Sequence, residues 1–178
     1  MKLKPLIAPI FATSLLACSA TVERKAPVGP DRGNPLVVFL VRHAEKSGPS
    51  DDAPLTKQGQ ARAQLLARTL RSASIERIHS SNYTRTLQTA APLARRLGLE
   101  VEHYNPRELA TLIEKLRSTG GRHLVVGHSN TTPAAVRLLG GDGGSPIRNM
   151  EYDRLYAVTV SPQGETTSVV LRYGEVLD

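Results

Sequence analysis

From about residue 36 onward, apolar residues recur in two alternating rhythms. Leu36 to Val41 is an unbroken apolar and β-branched run, the pattern of a fully buried strand, and it stops abruptly at Arg42-His43-Ala44-Glu45-Lys46. Thr56 then offers an N-cap for a helix over 57–71, with Ala61, Leu65, Leu66, Thr69 and Leu70 on one side, although Gly59 and Gln60 weaken its first turn. A short second strand is predicted over 75–79. The clearest helix follows over 84–97, where Leu87, Ala90, Ala91, Ala94 and Leu97 return at helical spacing and Gly98 supplies the stop. Leu99 to His103 reads as a third strand, and Pro106 suits the first position of a helix running to about Ser118. Arg122 to Gly127 repeats the opening device, an apolar strand that ends in a glycine and then His128. Pro133 starts a helix to Leu139, and two alternating strands, 154–161 and 166–172, read as a hairpin at a sheet edge. This succession predicts an α/β fold with three α/β/α layers, a mainly parallel central sheet and an antiparallel C-terminal edge hairpin.

Before residue 36 the pattern changes. Lys2 and Lys4 precede an apolar stretch, Leu6 to Leu16, that is too short to span a bilayer and is interrupted by Pro9, which is the layout of a secretory signal over 1–17. Leu15-Leu16-Ala17-Cys18 resembles the lipobox of bacterial lipoproteins. The resemblance implies lipidation of Cys18 and anchoring at the periplasmic face of a membrane, with Ser19 after the cysteine pointing to the outer membrane. Pro27, Gly29, Pro30, Gly33 and Pro35 then punctuate a segment with no apolar period, so 18–35 reads as the lipidated cysteine and its flexible tether. That leaves 36–178 as one domain of ordinary size.

Composition narrows the partners. Cys18 is the only cysteine, so no disulfide braces the domain and its core must hold it. The formal charge is +7, and loss of Lys2 and Lys4 with the leader leaves 21 basic against 16 acidic residues, a modest excess that suits a small anionic substrate. Aromatics are 4% of the chain and no basic run is interleaved with them, which argues against nucleic acid.

Ligands in open α/β sheets bind beyond the carboxyl ends of the strands. There the chain presents Arg42 and His43, then Arg85, then His128. Two fixed cations and two imidazoles converging on one point make a site for a dianion, most simply a phosphoryl group. Four segments carry a family resemblance: Val-Arg-His-Ala-Glu-Lys at 41–46, Pro-Leu-Thr-Lys-Gln-Gly at 54–59, Ser-Ser-Asn-Tyr-Thr-Arg-Thr-Leu-Gln-Thr-Ala at 80–90, and Val-Val-Gly-His-Ser-Asn at 125–130. In this order they resemble the histidine phosphatase superfamily, which includes cofactor-dependent phosphoglycerate mutases and small bacterial phosphohistidine phosphatases.

The resemblance implies a metal-independent phosphoric monoester hydrolase without a cofactor. His43 would carry a phosphohistidine intermediate, while Arg42, Arg85 and His128 hold the phosphoryl oxygens of a phosphorylated substrate. A proton donor for the leaving oxygen is less evident. Glu108 is the first candidate, its alternative role being to complement a helix N-terminus, and Asp51, Asp52 and Glu45 compete with it. Two other classes stay open: a lipoprotein that binds phosphorylated ligands without turnover, and metal-assisted hydrolysis through His43, His128 and Asp51 or Asp52. Close helical histidine spacing is absent, so the latter ranks last.

Overall fold

The computed structural model describes residues 33–174, so the leader, Cys18 and most of the tether lie outside the described residues. Six strands form one sheet: β1 (Leu36–Arg42), β2 (Arg77–Ser81), β3 (Val101–Tyr104), β4 (Arg122–Gly127), β5 (Arg154–Val160) and β6 (Thr166–Arg172). Between them run α1 (Lys57–Thr69), α2 (Thr84–Leu97), α3 (Leu109–Thr119) and α4 (Thr131–Leu138). The strand order is β3-β2-β4-β1-β5-β6, parallel through β3, β2, β4 and β1 and antiparallel through β5 and β6. The predicted fold class is therefore the observed one, with the hairpin at one edge.

The two faces of the sheet follow from strand alternation. Leu36, Val38 and Leu40 of β1 pack with Leu112 and Leu116 of α3 and Val136 of α4. Their neighbours Phe39 and Val41 turn to the other face, among Leu66 of α1, Leu70 at its C-cap, and Ala90 and Leu93 of α2. Each helix pair thus covers one face, which completes the three layers.

Several boundaries shift from the sequence expectation, and two of the shifts have a local cause. β2 begins at Arg77 rather than Ile75, because Ser74 turns the backbone at φ 53° and the chain joins the sheet only where the Glu76 N–H donates to the Arg122 carbonyl, at 2.8 Å. α3 begins at Leu109 rather than near Pro106. Asn105 closes a turn there, its Oδ1 accepting from the Arg107 N–H at 3.0 Å and its carbonyl from the Glu108 N–H at 3.0 Å.

Gly59, which weakens α1 by propensity, is required by packing. Thr56 caps the helix by accepting from the Gly59 N–H at 3.0 Å, and its own N–H donates to the Glu45 carbonyl at 2.9 Å. The first turn of α1 is thereby pressed onto the loop that follows His43, and a Cβ on Gly59 would collide with the Glu45 carbonyl oxygen. Gly59→Ala is expected to destabilise the fold by roughly 1–3 kcal/mol, read as a lower urea midpoint at unchanged m-value. A midpoint at or above that of the parent would show that the loop yields freely.

Candidate active site

β2, β4 and β1 are neighbours and parallel, so the segments after Arg42, Ser81 and Gly127 emerge side by side at one end of the sheet. Strand β1 ends at Arg42, and the backbone turns there, so the Arg42 and His43 side chains line one cavity of about 400 Å³ together with Arg85 and His128. Lys46 and Arg107 complete its cationic wall.

His43 is held by one peptide group. Its Nδ1 lies 2.7 Å from the Ala44 carbonyl, which can only accept, so Nδ1 carries the ring proton and Nε2 keeps an unengaged lone pair. That peptide is itself anchored from α2, the Ala44 N–H donating to Thr89 Oγ1 at 3.0 Å while Thr89 Oγ1 donates to the Arg85 carbonyl at 2.8 Å. The ring is 3% exposed, and burial pushes its pKa down to about 3; the Arg42 and Arg85 charges act in the same direction, against the Ala44 carbonyl.

His128 adopts the opposite tautomer. Arg85 Nη2, an obligatory donor, points to its Nδ1 at 3.3 Å, so Nε2 carries the proton and donates to Ser81 Oγ at 2.8 Å. Ser81 Oγ passes its own hydrogen to Thr86 Oγ1 at 3.2 Å, and Thr86 returns to the Ser81 carbonyl at 2.7 Å. Burial, reinforced by Arg85 and Arg42, lowers the His128 pKa to about 4. The two imidazole rings stand edge to face with centroids 5.6 Å apart.

The cations are fixed from outside the cavity. Arg42 Nη1 lies 2.9, 2.9 and 3.0 Å from the carbonyls of Arg148, Asn149 and Glu151, and its guanidinium stacks 4.1 Å above the Tyr152 ring. Arg85 Nη1 donates to the Asp51 carbonyl, and its guanidinium lies 4.5 Å from the centre of the Tyr83 ring. Among the described residues, the buried Nε–H groups of both Arg42 and Arg85 have no hydrogen-bond partner. Two guanidinium groups beside a neutral imidazole are the donor set an oxyanion would satisfy.

The carboxylates offered by the sequence are elsewhere. Glu108 does not line this cavity; it is exposed, accepts from Asn105 Nδ2 at 2.8 Å and borders a neighbouring cavity with His103 and Lys115. Asp52 takes the Thr84 N–H at 2.6 Å and the Thr84 hydroxyl at 2.9 Å at the start of α2. Glu45 is buried against Arg62, Oε1 to Nε at 2.8 Å. Asp51 contributes its carbonyl to Arg85 rather than a carboxylate to the wall. The sequence assigns no role to Tyr83, Tyr152 or Arg107: aromatic supports for guanidinium groups carry no spacing signal, and Arg107 enters the wall through the Asn105 turn. His79 and His123 are buried away from the cavity wall and hydrogen-bonded to each other at 3.0 Å. Among the described residues, no group of three or more His, Cys, Asp or Glu side chains is placed to hold a metal ion.

The model of the histidine phosphatase superfamily, branch 1, matches residues 38–110, the stretch that carries Arg42, His43 and Arg85. Over that stretch the chain matches the histidine phosphatase superfamily. A probable phosphoglycerate mutase GpmB of Yersinia enterocolitica is 43% identical over 74 residues, a match that covers 37% of this chain and 34% of that protein, about a third of its length. Among solved structures, the protein histidine phosphatase SixA complexed with tungstate superposes with a TM-score of 0.62 at 22% identity, covering 75% of this chain and 94% of SixA. The mycobacterial glucosyl-3-phosphoglycerate phosphatase superposes with a TM-score of 0.63 at 15% identity, over 79% of this chain and all of the other. Those two likenesses establish that the histidine phosphatase fold is shared.

Proposed function

We propose that this protein is a histidine phosphatase, a phosphohydrolase that works through a phosphohistidine on His43 Nε2. One observation carries the reading: a buried imidazole, kept neutral and aimed by Ala44, lies in one cavity with two arginines. A nucleophilic nitrogen needs its lone pair, and a phosphoryl group supplies anionic oxygens to the two guanidinium groups that line the cavity. Arg42 and Arg85 would neutralise the charge that builds on those oxygens in transfer, with His128 beside them as a neutral hydrogen-bonding group, in a partly buried site that strengthens such interactions. To donate to a phosphoryl oxygen, His128 would have to give up Ser81 from Nε2, or move its ring proton to Nδ1 and release Arg85 there.

The test is turnover of p-nitrophenyl phosphate by the full chain in the presence of a chelator. Steady hydrolysis supports a metal-independent enzyme, whereas tight tungstate binding with no hydrolysis across a panel of esters would support a phosphate-binding lipoprotein instead. Export and anchoring through Cys18, at the periplasmic face of the outer membrane, belong to the same proposal and rest on the signal and lipobox residues alone. Palmitate labelling that is lost in Cys18→Ser tests that part separately.

The low His43 pKa gives a pH prediction. Protonation removes the attacking lone pair, so activity must fall as pH drops through that value, and His43 should be ready across the whole neutral range. Substrate phosphate titrates near pH 6 in its own right, so the cleaner readout is an NMR titration of the His43 ring. No protonation is expected above about pH 5, while an inflection near the ordinary histidine value of about 6.5 would contradict it.

A further inference from the structure

We propose that the phosphoryl group this cavity takes is carried on a second phosphate: the substrate class is a phosphoanhydride rather than an alkyl phosphomonoester. The proposal rests on the His43 reading and adds what the cavity wall says about the leaving group. Four cations line the wall, Arg42, Lys46, Arg85 and Arg107, and among the described residues no carboxylate does. The carboxylates that the sequence offers are committed or outside the wall: Glu45 to Arg62, Asp52 to Thr84, Asp51 meeting Arg85 through its carbonyl, and Glu108 at the adjoining cavity. His128 is no acid either, for it is held neutral and its one ring proton is directed to Ser81. The other protic groups in the wall are hydroxyls and amides, such as Tyr83, Ser129 and Asn130.

A leaving oxygen must therefore depart without a proton from a carboxylic acid. An alkoxide, whose conjugate acid has a pKa close to water's value of about 15.7, is a poor leaving group under that condition. A phosphate, whose second ionisation lies near pH 6, is a good one. Arg42 and Arg85 flank His43, which leaves Lys46 and Arg107 to receive the second anion. Lys46 Nζ now donates to the Ser50 carbonyl at 3.2 Å, a single exposed contact that an anion can displace.

The chemistry balances without an added acid. His43 Nε2 forms a bond to the terminal phosphorus as the bridging P–O bond breaks, and that electron pair leaves on the departing phosphate. The Nδ1 proton stays on the ring, which becomes a phosphorylated imidazolium donating to the Ala44 carbonyl. Water then bonds to phosphorus, the N–P pair returns to Nε2, and both water hydrogens end on the released dihydrogen phosphate.

The experiment compares kcat/KM of the full chain, with chelator present, for inorganic pyrophosphate, p-nitrophenyl phosphate and β-glycerophosphate. General acid catalysis contributes roughly 10²–10⁴-fold where it operates, so β-glycerophosphate should be slower than pyrophosphate by about 100-fold or more. In the Lys46→Ala/Arg107→Ala double variant, the pyrophosphate to p-nitrophenyl phosphate ratio should fall about tenfold, as expected for loss of partly exposed charge pairs. β-Glycerophosphate within tenfold of pyrophosphate, an unmoved ratio, or p-nitrophenyl phosphate turned over without pyrophosphate would each overturn the anhydride assignment alone. Failure to turn over any of the three would overturn it together with the His43 mechanism.

Discussion

Replacing His43 by alanine is expected to cut turnover by about 10⁴-fold or more, the scale seen when a covalent nucleophile is removed. The size of the effect follows from geometry. No other group of the wall combines an unengaged lone pair with a position between the two arginines, so nothing takes over the attack. Tungstate binding should survive in His43→Ala, because Arg42, Arg85 and the residues that anchor them are untouched. Loss of activity with retained oxyanion binding separates chemistry from recognition. Retained turnover would place the nucleophile elsewhere, and loss of both would mean that the ring supports the wall rather than the reaction.

The largest effect on stability is expected at Glu45. Its carboxylate and the Arg62 guanidinium are each 6% exposed, and the same arginine donates from Nη1 to the Tyr173 carbonyl at 2.9 Å. One ion pair thus ties the loop after His43 to α1 and to the segment after β6. Glu45→Ala removes one member of this buried pair, and breaking such pairs costs about 3–5 kcal/mol. Urea unfolding reads this directly. The double change Glu45→Met/Arg62→Met should recover much of the loss, since desolvation offsets most of what a buried pair gains. A single-variant cost below about 1 kcal/mol would mean that water reaches the pair and screens it.

The framework of the fold is legible in the chain because it depends on local rules. The apolar run ending at Arg42, the αL cap at Gly98 with φ 67° and the Thr56 N-cap are each written within a few residues. The cluster of Arg42, His43, Arg85 and His128 is legible for a related reason: all four sit just past or near strand ends, and the strand order β2-β4-β1 makes those ends adjacent. What the chain does not disclose is partnership over distance. Arg42 is anchored by carbonyls 106 to 109 residues away, and carbonyls have no residue identity to read. Glu45 lies two positions from His43, which made it a candidate acid, yet a partner 17 residues later on α1 takes it out of the site. Glu108 falls outside because the Asn105 turn delays α3 by three residues, and that delay brings Arg107 to the wall instead.

The most direct measurement is to quench the full chain in base during turnover of a ³²P-labelled substrate and map the labelled peptide, since phosphorus on an imidazole nitrogen survives alkali. The label is predicted on His43, within the peptide that carries Arg42 and Glu45, and absent from His43→Ala. Label on another residue, or steady turnover that never yields a labelled imidazole, would contradict transfer through His43.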